Sequence, residues 1–299
     1  MNSSHRTLTL LLVATLLLLD GVRGVSFEKH KAISHDTYYL GKHAHPRHRL
    51  KEVEGYAFLH NHRDSRAGKL SPSTSKATHF GRNNHTSSSK KSSAEHRKRQ
   101  LGTTLDCTEP IAVGAVWKTS LGFYINSLNT QQLSTRYLTS AILHATDAWN
   151  CALRTDNRLV LGPLLAVRPS LSGRDITVDS PDGSNIIGLG TIDGKHGTIA
   201  VTIVWGIFSG PIPLREIVEF KMIFDANHYR FGNSSLRAGV IDFEATATHE
   251  MGHAFGNEDI YDPQCADVTM YGTSAENETK KRTLEVPDVV GIQSLYPPE

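Results

Sequence analysis

The sequence predicts an α+β domain in which a twisted, mixed β-sheet carries two main helices and is followed by a small C-terminal subdomain. Three observations predict it. Short apolar runs alternate with Gly- and Pro-rich turns, two longer stretches have helical periodicity, and the elements follow the order strand, helix, several strands, helix, loop, helix. We assign this domain to residues 100–299, a length that suffices for one well-formed core.

The first elements of the domain are a strand within 117–127 and a helix over 134–153. The helix is predicted by apolar residues recurring at the i, i+3, i+4, i+7 spacing, and Ser134 is suited to cap its N-terminus. Further runs of strand composition predict the rest of the sheet at Arg174–Val178, Ile186–Leu189, Thr198–Trp205 and Ile217–Phe224.

A second main helix is predicted from Asp242 to Phe255. Gly256 follows it and is the residue type that favours the left-handed turn closing a helix. After a loop, residues 286–296 form a short final helix with Pro287 in its first turn, where proline is tolerated.

Charge divides the chain into two parts. Residues 1–99 contain 18 Lys and Arg against 7 Asp and Glu, whereas residues 100–299 contain 14 against 23. At the N-terminus, Arg6 precedes an apolar run from Leu8 to Leu19, which has the length of a secretory signal core and is too short to span a bilayer. We therefore expect residues 1–24 to be a signal peptide and the protein to be secreted and extracellular, without stable membrane insertion.

Residues 25–99 are predicted to be a basic, His-rich pro-segment. Apolar residues are sparse there, so we expect the segment to be largely disordered. It ends at the dibasic pair Lys98 and Arg99, a processing site of the kind that proteases cut in exposed chain. A retained basic arm for nucleic acid or cell surfaces would require that pair to stay uncut; we expect the cut and no nucleic-acid partner.

The chemistry is concentrated in HEMGH, residues 249–253. On a helix His249 and His253 lie one above the other and can bind one divalent ion, for which zinc is the natural choice. Glu250 is turned away from both histidines and is placed to act as general base. No histidine follows His253, so a carboxylate is expected as third ligand. Asp259 is preferred because Gly256 turns the chain back toward the helix; the alternatives are Glu258, Asp262 and Asp267.

HEMGHAFGNED resembles the metzincin pattern H-E-x-x-H-x-x-G-x-x-H, with Asp259 at the last position. CADVTMYG resembles the Met-turn, with Met270 beneath the metal, and WKTSLGFYIN and PDVVGIQSLY resemble matrixins. The Asp ligand is more similar to snapalysin-type enzymes. The resemblance implies a zincin-like α+β fold and a zinc-dependent endopeptidase acting on protein or peptide substrates. It also implies that the strand at 198–202 pairs with an extended substrate.

The composition also leads to expectations about latency, oligomeric state and calcium. The pro-segment has no cysteine, so thiolate-based latency is excluded, and the opposite charges of the two parts lead us to expect the pro-segment itself as inhibitor. The alternative function is a catalytically silent binding module. We expect a monomer. Calcium is possible at Asp179, Asp182 and Asn185, although a plain surface turn is the simpler account.

The domain contains three cysteines, which fits an oxidising compartment and allows one disulfide. We favour Cys107–Cys151, since an antiparallel strand and helix would bring these ends together; Cys151–Cys265 is the alternative. Glycosylation sequons begin at Asn84, Asn233 and Asn277.

Overall fold

The computed structural model describes residues 25–27, 29–34, 36–63, 107, 114–119, 122–155, 158–159, 170–171, 176, 178–193 and 197–297. The predicted signal peptide, the Lys98–Arg99 pair and Asn84 lie outside these residues. The described helices are α1 (Thr135–Ala152), α2 (Phe243–Ala254) and α3 (Val286–Leu295), with 3-10 turns at Ile212–Leu214, Pro263–Cys265 and Lys280–Arg282.

The described strands, in chain order, are β1 (Val25–Ser26), β2 (Lys31–Ala32), β3 (Thr37–His45), β4 (His48–His62), β5 (Tyr124–Asn126), β6 (Arg154–Thr155), β7 (Arg158–Leu159), β8 (Ser170–Leu171), β9 (Ile186–Gly190), β10 (Ile192–Asp193), β11 (Thr198–Ile207), β12 (Glu216–Asp225), β13 (Phe231–Gly232), β14 (Ile241–Asp242) and β15 (Thr273–Ser274). The strand predicted within 117–127 is therefore confined to its last part. Residues 176 and 178 of the strand predicted at 174–178 are described, and neither lies in a strand.

One mixed sheet organises the described part of the chain. Its order is β2-β3-β4-β11-β12-β9-β5-β8, and β15 pairs with β4 outside that path. β12, β9, β5 and β8 run parallel to one another, whereas β11 is antiparallel to both β12 and β4. Helices α1 and α2 share a core with this sheet, in which Trp149 and Phe243 pack with Phe220 and Phe224. The predicted α+β class is confirmed.

The two main helices begin where the sequence predicts. The Ser134 hydroxyl accepts a hydrogen bond from the Tyr137 amide at 3.2 Å, and the Asp242 carboxylate accepts one from the Ala245 amide at 2.9 Å. Each bond satisfies a first-turn amide that has no partner within the helix. Helix α2 ends before Gly256, whose φ of +104° is the left-handed conformation that glycine adopts without strain.

The N-terminal segment differs from the prediction. The sequence predicts a largely disordered stretch over 25–99, whereas Thr37–His45 and His48–His62 form two long strands of the sheet. Val53, Ala57 and Leu59 of β4 are buried in a core shared with Val201 and Ile203 of β11. An isolated hairpin is marginal in water, so this one depends on an apolar face provided elsewhere in the chain. The prediction of disorder is therefore corrected for these residues.

The chain after Gly256 forms the small C-terminal subdomain, which includes β15 and α3. Asp288 of α3 accepts hydrogen bonds from the amides of Thr269 and Met270 at 2.9 and 3.1 Å. The subdomain thereby holds the turn around Met270 in place. In the part of the chain that the structure describes, no helix combines the length and apolar character needed to cross a membrane.

Candidate metal centre

Helix α2 and the loop after it bring the predicted ligands together. His249, Glu250 and His253 are completely buried on α2. The chain turns back at Gly256 and places Asp259 Oδ1 3.1 Å from His249 Nε2 and 3.5 Å from His253 Nε2. Two imidazole nitrogens therefore face one carboxylate oxygen, as the spacing of the motif predicts.

Backbone carbonyls orient both imidazoles. His249 Nδ1 donates to the Thr269 carbonyl at 2.7 Å, and His253 Nδ1 donates to the Asn257 carbonyl at 2.9 Å. A carbonyl oxygen can only accept, so the ring proton is held on Nδ1 in each case. Nε2 then points toward Asp259, which is the tautomer that a metal ligand requires.

The charges of these groups are coupled. Burial lowers the pKa of His249 to about 4, against the opposing effect of Asp259. At His253 burial acts in the same direction, but the Asp259 carboxylate outweighs it and raises the pKa to about 9. Burial alone would raise the pKa of Asp259, yet His253 and His249 hold that pKa well below its ordinary value. The Asp259 carboxylate is therefore ionised. Its oxygen stabilises a positive charge located between it and the two imidazoles.

Glu250 lies on the sheet side of α2. Its Oε2 accepts a hydrogen bond from Thr202 Oγ1 of β11 at 2.6 Å. Its Oε1 is buried and has no hydrogen-bond partner among the described residues. Burial raises the pKa of this carboxyl to about 7. One oxygen is fixed and the other is free, which suits a group that exchanges a proton near neutral pH.

The cluster passes a test for a bound cation. Within the described ranges, His249 Nε2, His253 Nε2 and Asp259 Oδ1 are all buried without a hydrogen bond. Buried polar atoms are normally satisfied, so a shared ligand is the natural explanation of three that converge. The separations of 3.1 and 3.5 Å lie on either side of the roughly 3.3 Å edge of a tetrahedron with zinc–ligand bonds of about 2.0 Å. Two nitrogens and one carboxylate oxygen are a suitable donor set for zinc.

Met270 and Asp288 support the cluster from below. Met270 is buried against Gly252 of α2, where a β-carbon would collide with the Met270 sulfur. The same turn provides the Thr269 carbonyl that receives His249. The sequence does not indicate a role for Asp288, although this residue lies in the PDVVGIQSLY motif. Nothing in that motif indicates which turn its carboxylate would hold.

Strand β4 contributes two further aromatic rings to the site. The His60 ring centroid lies 3.8 Å from that of His249, and potential ligand atoms of His60, His249 and Asp259 all lie within 4.8 Å of one another. Phe58 stacks on His253. Sequence reasoning did not find His60. The alternation of apolar residues in YAFLHNH is the signal that would have indicated a strand there.

The predicted disulfide is corrected. Cys107 is bonded to Cys265, and Cys151 is a free, exposed thiol. Helix α1 turns its apolar face to α2, which directs Cys151 outward. Cys265 instead lies in a 3-10 turn of the C-terminal subdomain, whose position the sequence does not predict.

The other predicted sites have the following positions. Asn277 is exposed, and Asn233 is half-buried with its side-chain oxygen accepting from Arg282. Asp182 pairs with Lys221 at 2.5 Å, and Asn185 donates to the Gly122 carbonyl at 3.0 Å. Glycosylation and calcium binding stay predictions.

The fold and the donor set together define a metzincin-like metallopeptidase domain: a mixed sheet, a buried histidine pair on a helix, and a methionine turn beneath it. Comparison with known families gives the particular one. The matrixin family model matches residues 117–297, which is more than half of the chain. The chain belongs to the matrixin family, and the hydrolytic chemistry of that family depends on zinc. A search of curated proteins found no match.

Proposed function

We propose that this protein is a secreted zinc endopeptidase, made as a zymogen, that hydrolyses peptide bonds in extracellular proteins. Its parts are a signal peptide at 1–24, a pro-segment at 25–99 and a catalytic domain at 100–299. The pro-segment is removed by a single cut after Arg99, the second residue of the Lys98–Arg99 pair. The observation that carries the proposal is the convergence of unpartnered buried atoms from His249, His253 and Asp259 beside the free oxygen of Glu250.

In this proposal His249, His253 and Asp259 hold the zinc. The bound ion supplies Lewis acidity toward water and the substrate carbonyl. Glu250 acts as general base: Thr202 fixes its Oε2, and Oε1 accepts a proton and then delivers it to the leaving amine. A pKa of about 7 makes both transfers accessible near neutral pH.

Strand β11 is the proposed binding site for an extended substrate. It lies beside α2, and its Thr202 contacts the proposed base directly. A peptide would pair with β11 through its backbone, so that main-chain hydrogen bonds supply affinity and side-chain pockets supply specificity. In the full chain β4 lies along that side of β11. This arrangement supports the zymogen proposal, with the pro-segment as inhibitor.

The alternative is a catalytically silent binding module that keeps a metal for stability. Glu250 argues against it. A purely structural site gains nothing from a completely buried carboxylate that is not among its ligands and has one oxygen unpartnered within the described residues. The expectation of a monomer stays a prediction.

The decisive experiment compares wild type with Glu250→Ala. The full chain is secreted, loaded with zinc, cut after Arg99 and separated from residues 25–99, and hydrolysis of a quenched fluorescent peptide library is measured. We expect the variant to lose about 10²–10⁴-fold in rate with zinc content unchanged. Glu244→Ala is the matched control, because Glu244 lies on the same helix and its carboxylate contacts the exposed His144. If wild type and Glu250→Ala both hold zinc and neither cleaves, the silent module replaces the peptidase.

A further inference from the structure

Strand β4 lies in the cleft beside the metal centre and is paired with another strand along each of its own two edges. It runs antiparallel to β11, with Phe58 opposite Thr202 and His60 opposite Ala200. It also runs parallel to β15, with Asn61 opposite Thr273. A substrate peptide would need these same backbone groups. The N-terminal segment therefore occupies the strand position that the proposed function assigns to substrate.

His60 points from this strand into the metal centre. It is completely buried, and its Nε2 lies 2.8 Å from the Ser274 hydroxyl. Its Nδ1 has no hydrogen-bond partner in the described part of the chain. The ring is 3.8 Å from that of His249, and its ligand atoms are within 4.8 Å of those of His249 and Asp259. An unpartnered buried nitrogen so near the ligand atoms of His249 and Asp259 indicates a shared ligand.

Two more contacts fix the segment at the same place. Phe58 covers the face of His253. The Tyr261 hydroxyl lies 2.7 Å from Asp36 and 3.1 Å from Asp259 Oδ2, so it joins the N-terminal segment to the proposed third ligand. These contacts place three residues of the segment around the ligand set.

We propose that His60 of the N-terminal segment is a fourth metal ligand, in addition to the three from helix α2 and the loop after it. Strand β4 thereby keeps the enzyme latent, because it ligates the metal and occupies the position of the substrate strand. The inference rests on the proposed function for its metal and its cleft. A catalytic zinc site keeps one position open, whereas four protein ligands make a closed site. His60 thereby closes the position at which water would enter.

A consequence concerns activation. A cut after Arg99 leaves the N-terminal segment in place, because β4 is held by strand pairing, Arg63 after it forms an ion pair with Glu278 at 2.8 Å, and His45 of β3 contacts Glu219 at 3.0 Å. Activity therefore appears only when the cut segment dissociates or is degraded. We expect a lag between cleavage and full activity.

The first test reads the metal directly. The secreted chain is kept uncut by Arg99→Ala, loaded with Co²⁺ and examined by absorption spectroscopy as wild type, His60→Cys and His62→Cys. Cysteine at a ligating position adds a thiolate-to-cobalt charge-transfer band. We expect the band for His60→Cys only. His62 is on the same strand as His60, but its ring lies against Tyr229. A folded, cobalt-loaded His60→Cys chain without the band overturns the proposal.

The second test uses His60→Ala in the same uncut chain, with its fold checked by circular dichroism. We expect zinc transfer to a chelator to accelerate by at least the roughly 10–100-fold that loss of an outer-shell partner costs, and peptide hydrolysis to rise above the latent wild type. Unchanged zinc loss and unchanged latency would sink the proposal. The two proposals fail separately. A band together with no peptidase activity after residues 25–99 are cut off and removed rules out the proposed function and leaves His60 as a metal ligand. An active peptidase without a band rules out the role of His60 alone.

Discussion

The ring of Phe58 lies parallel to the imidazole of His253, with ring centroids 4.8 Å apart and 9° between the planes. Phe58 is also paired along the sheet with Thr202, whose hydroxyl contacts Glu250. A single residue of the N-terminal segment thus contacts both the helix and the strand that build the metal centre. The N-terminal segment and the helix and strand of the candidate site are one packed unit at this point.

Phe58→Ala is expected to weaken this unit. Removing a buried phenyl ring costs about 3–5 kcal/mol, and the loss falls on the docking of β4. We expect a lower free energy of unfolding and measurable peptide hydrolysis by the uncut chain. Tyr39→Ala is the control, since Tyr39 is on the same hairpin and its ring contacts Tyr56 instead, at a tilt of 54°. A folded Phe58→Ala chain as latent as wild type would contradict the role of this contact.

Substitution of Asp259 tests the prediction that this carboxylate is the third ligand. Asp259→Ala should lower zinc affinity by more than the roughly 10–100-fold that loss of an outer-shell partner costs. Asp259→His should recover much of it, because imidazole is an equally suitable zinc ligand. Zinc affinity is measured by chelator competition. Asp267→Ala is the control. Asp267 is one of the alternative third ligands predicted from the sequence, but its side chain is 91% exposed. Equal effects of Asp259→Ala and Asp267→Ala would exclude Asp259 as ligand.

Thr202→Val removes the hydrogen bond to Glu250 without changing side-chain size. Burial raises the pKa of Glu250, and the bond from Thr202 opposes that effect by stabilising the carboxylate. Without the bond the pKa of Glu250 rises further, so the carboxyl stays protonated, and cannot act as base, up to a higher pH. We expect the acid limb of the kcat/KM profile to move to higher pH. Thr248→Val, which removes only a bond to the Glu244 carbonyl on the same helix, should leave the limb in place.

The ion pair between Arg282 and Asp242 predicts a pH-dependent stability. Arg282 donates to both oxygens of this buried carboxylate, at 2.8 and 2.6 Å. Burial would raise the pKa of Asp242, but Arg282 and two backbone amides hold it below its ordinary value. The stabilisation is therefore present above the unfolded pKa of about 3.9 and is lost as pH falls through the lower folded pKa.

Arg282→Met leaves this carboxylate buried without its cation, at a cost of about 3–5 kcal/mol at pH 7. The deficit relative to wild type should shrink on acidification, because protonation removes the buried charge in the variant and the pairing in wild type. Urea unfolding at pH 7 and at pH 3 measures both values. Lys42→Ala removes the ion pair between the exposed Lys42 and Glu54 and should cost little. A deficit that grows with acid would contradict the assignment.

Several features of the protein follow from local sequence. Helix α2 is indicated by its cap at Asp242 and its end before Gly256, and a spacing of four residues places His249 and His253 on one face whatever surrounds them. Strands β9, β11 and β12 are apolar runs that become buried, so their positions were predicted to within about two residues. Short-range spacing and hydrophobicity suffice here because each element determines its own geometry.

The sequence by itself determined the chemistry of this protein: the donor types, their spacing on one helix and the strand–helix order of the domain. Tertiary structure alone decided which distant segments meet. It placed His60 against His249, bonded Cys107 to Cys265 across 158 residues and set Asp288 beneath the Met270 turn. The physical reason is that β4 is stable only when its apolar residues are buried against β11, and no local pattern specifies which strand edge a segment will join.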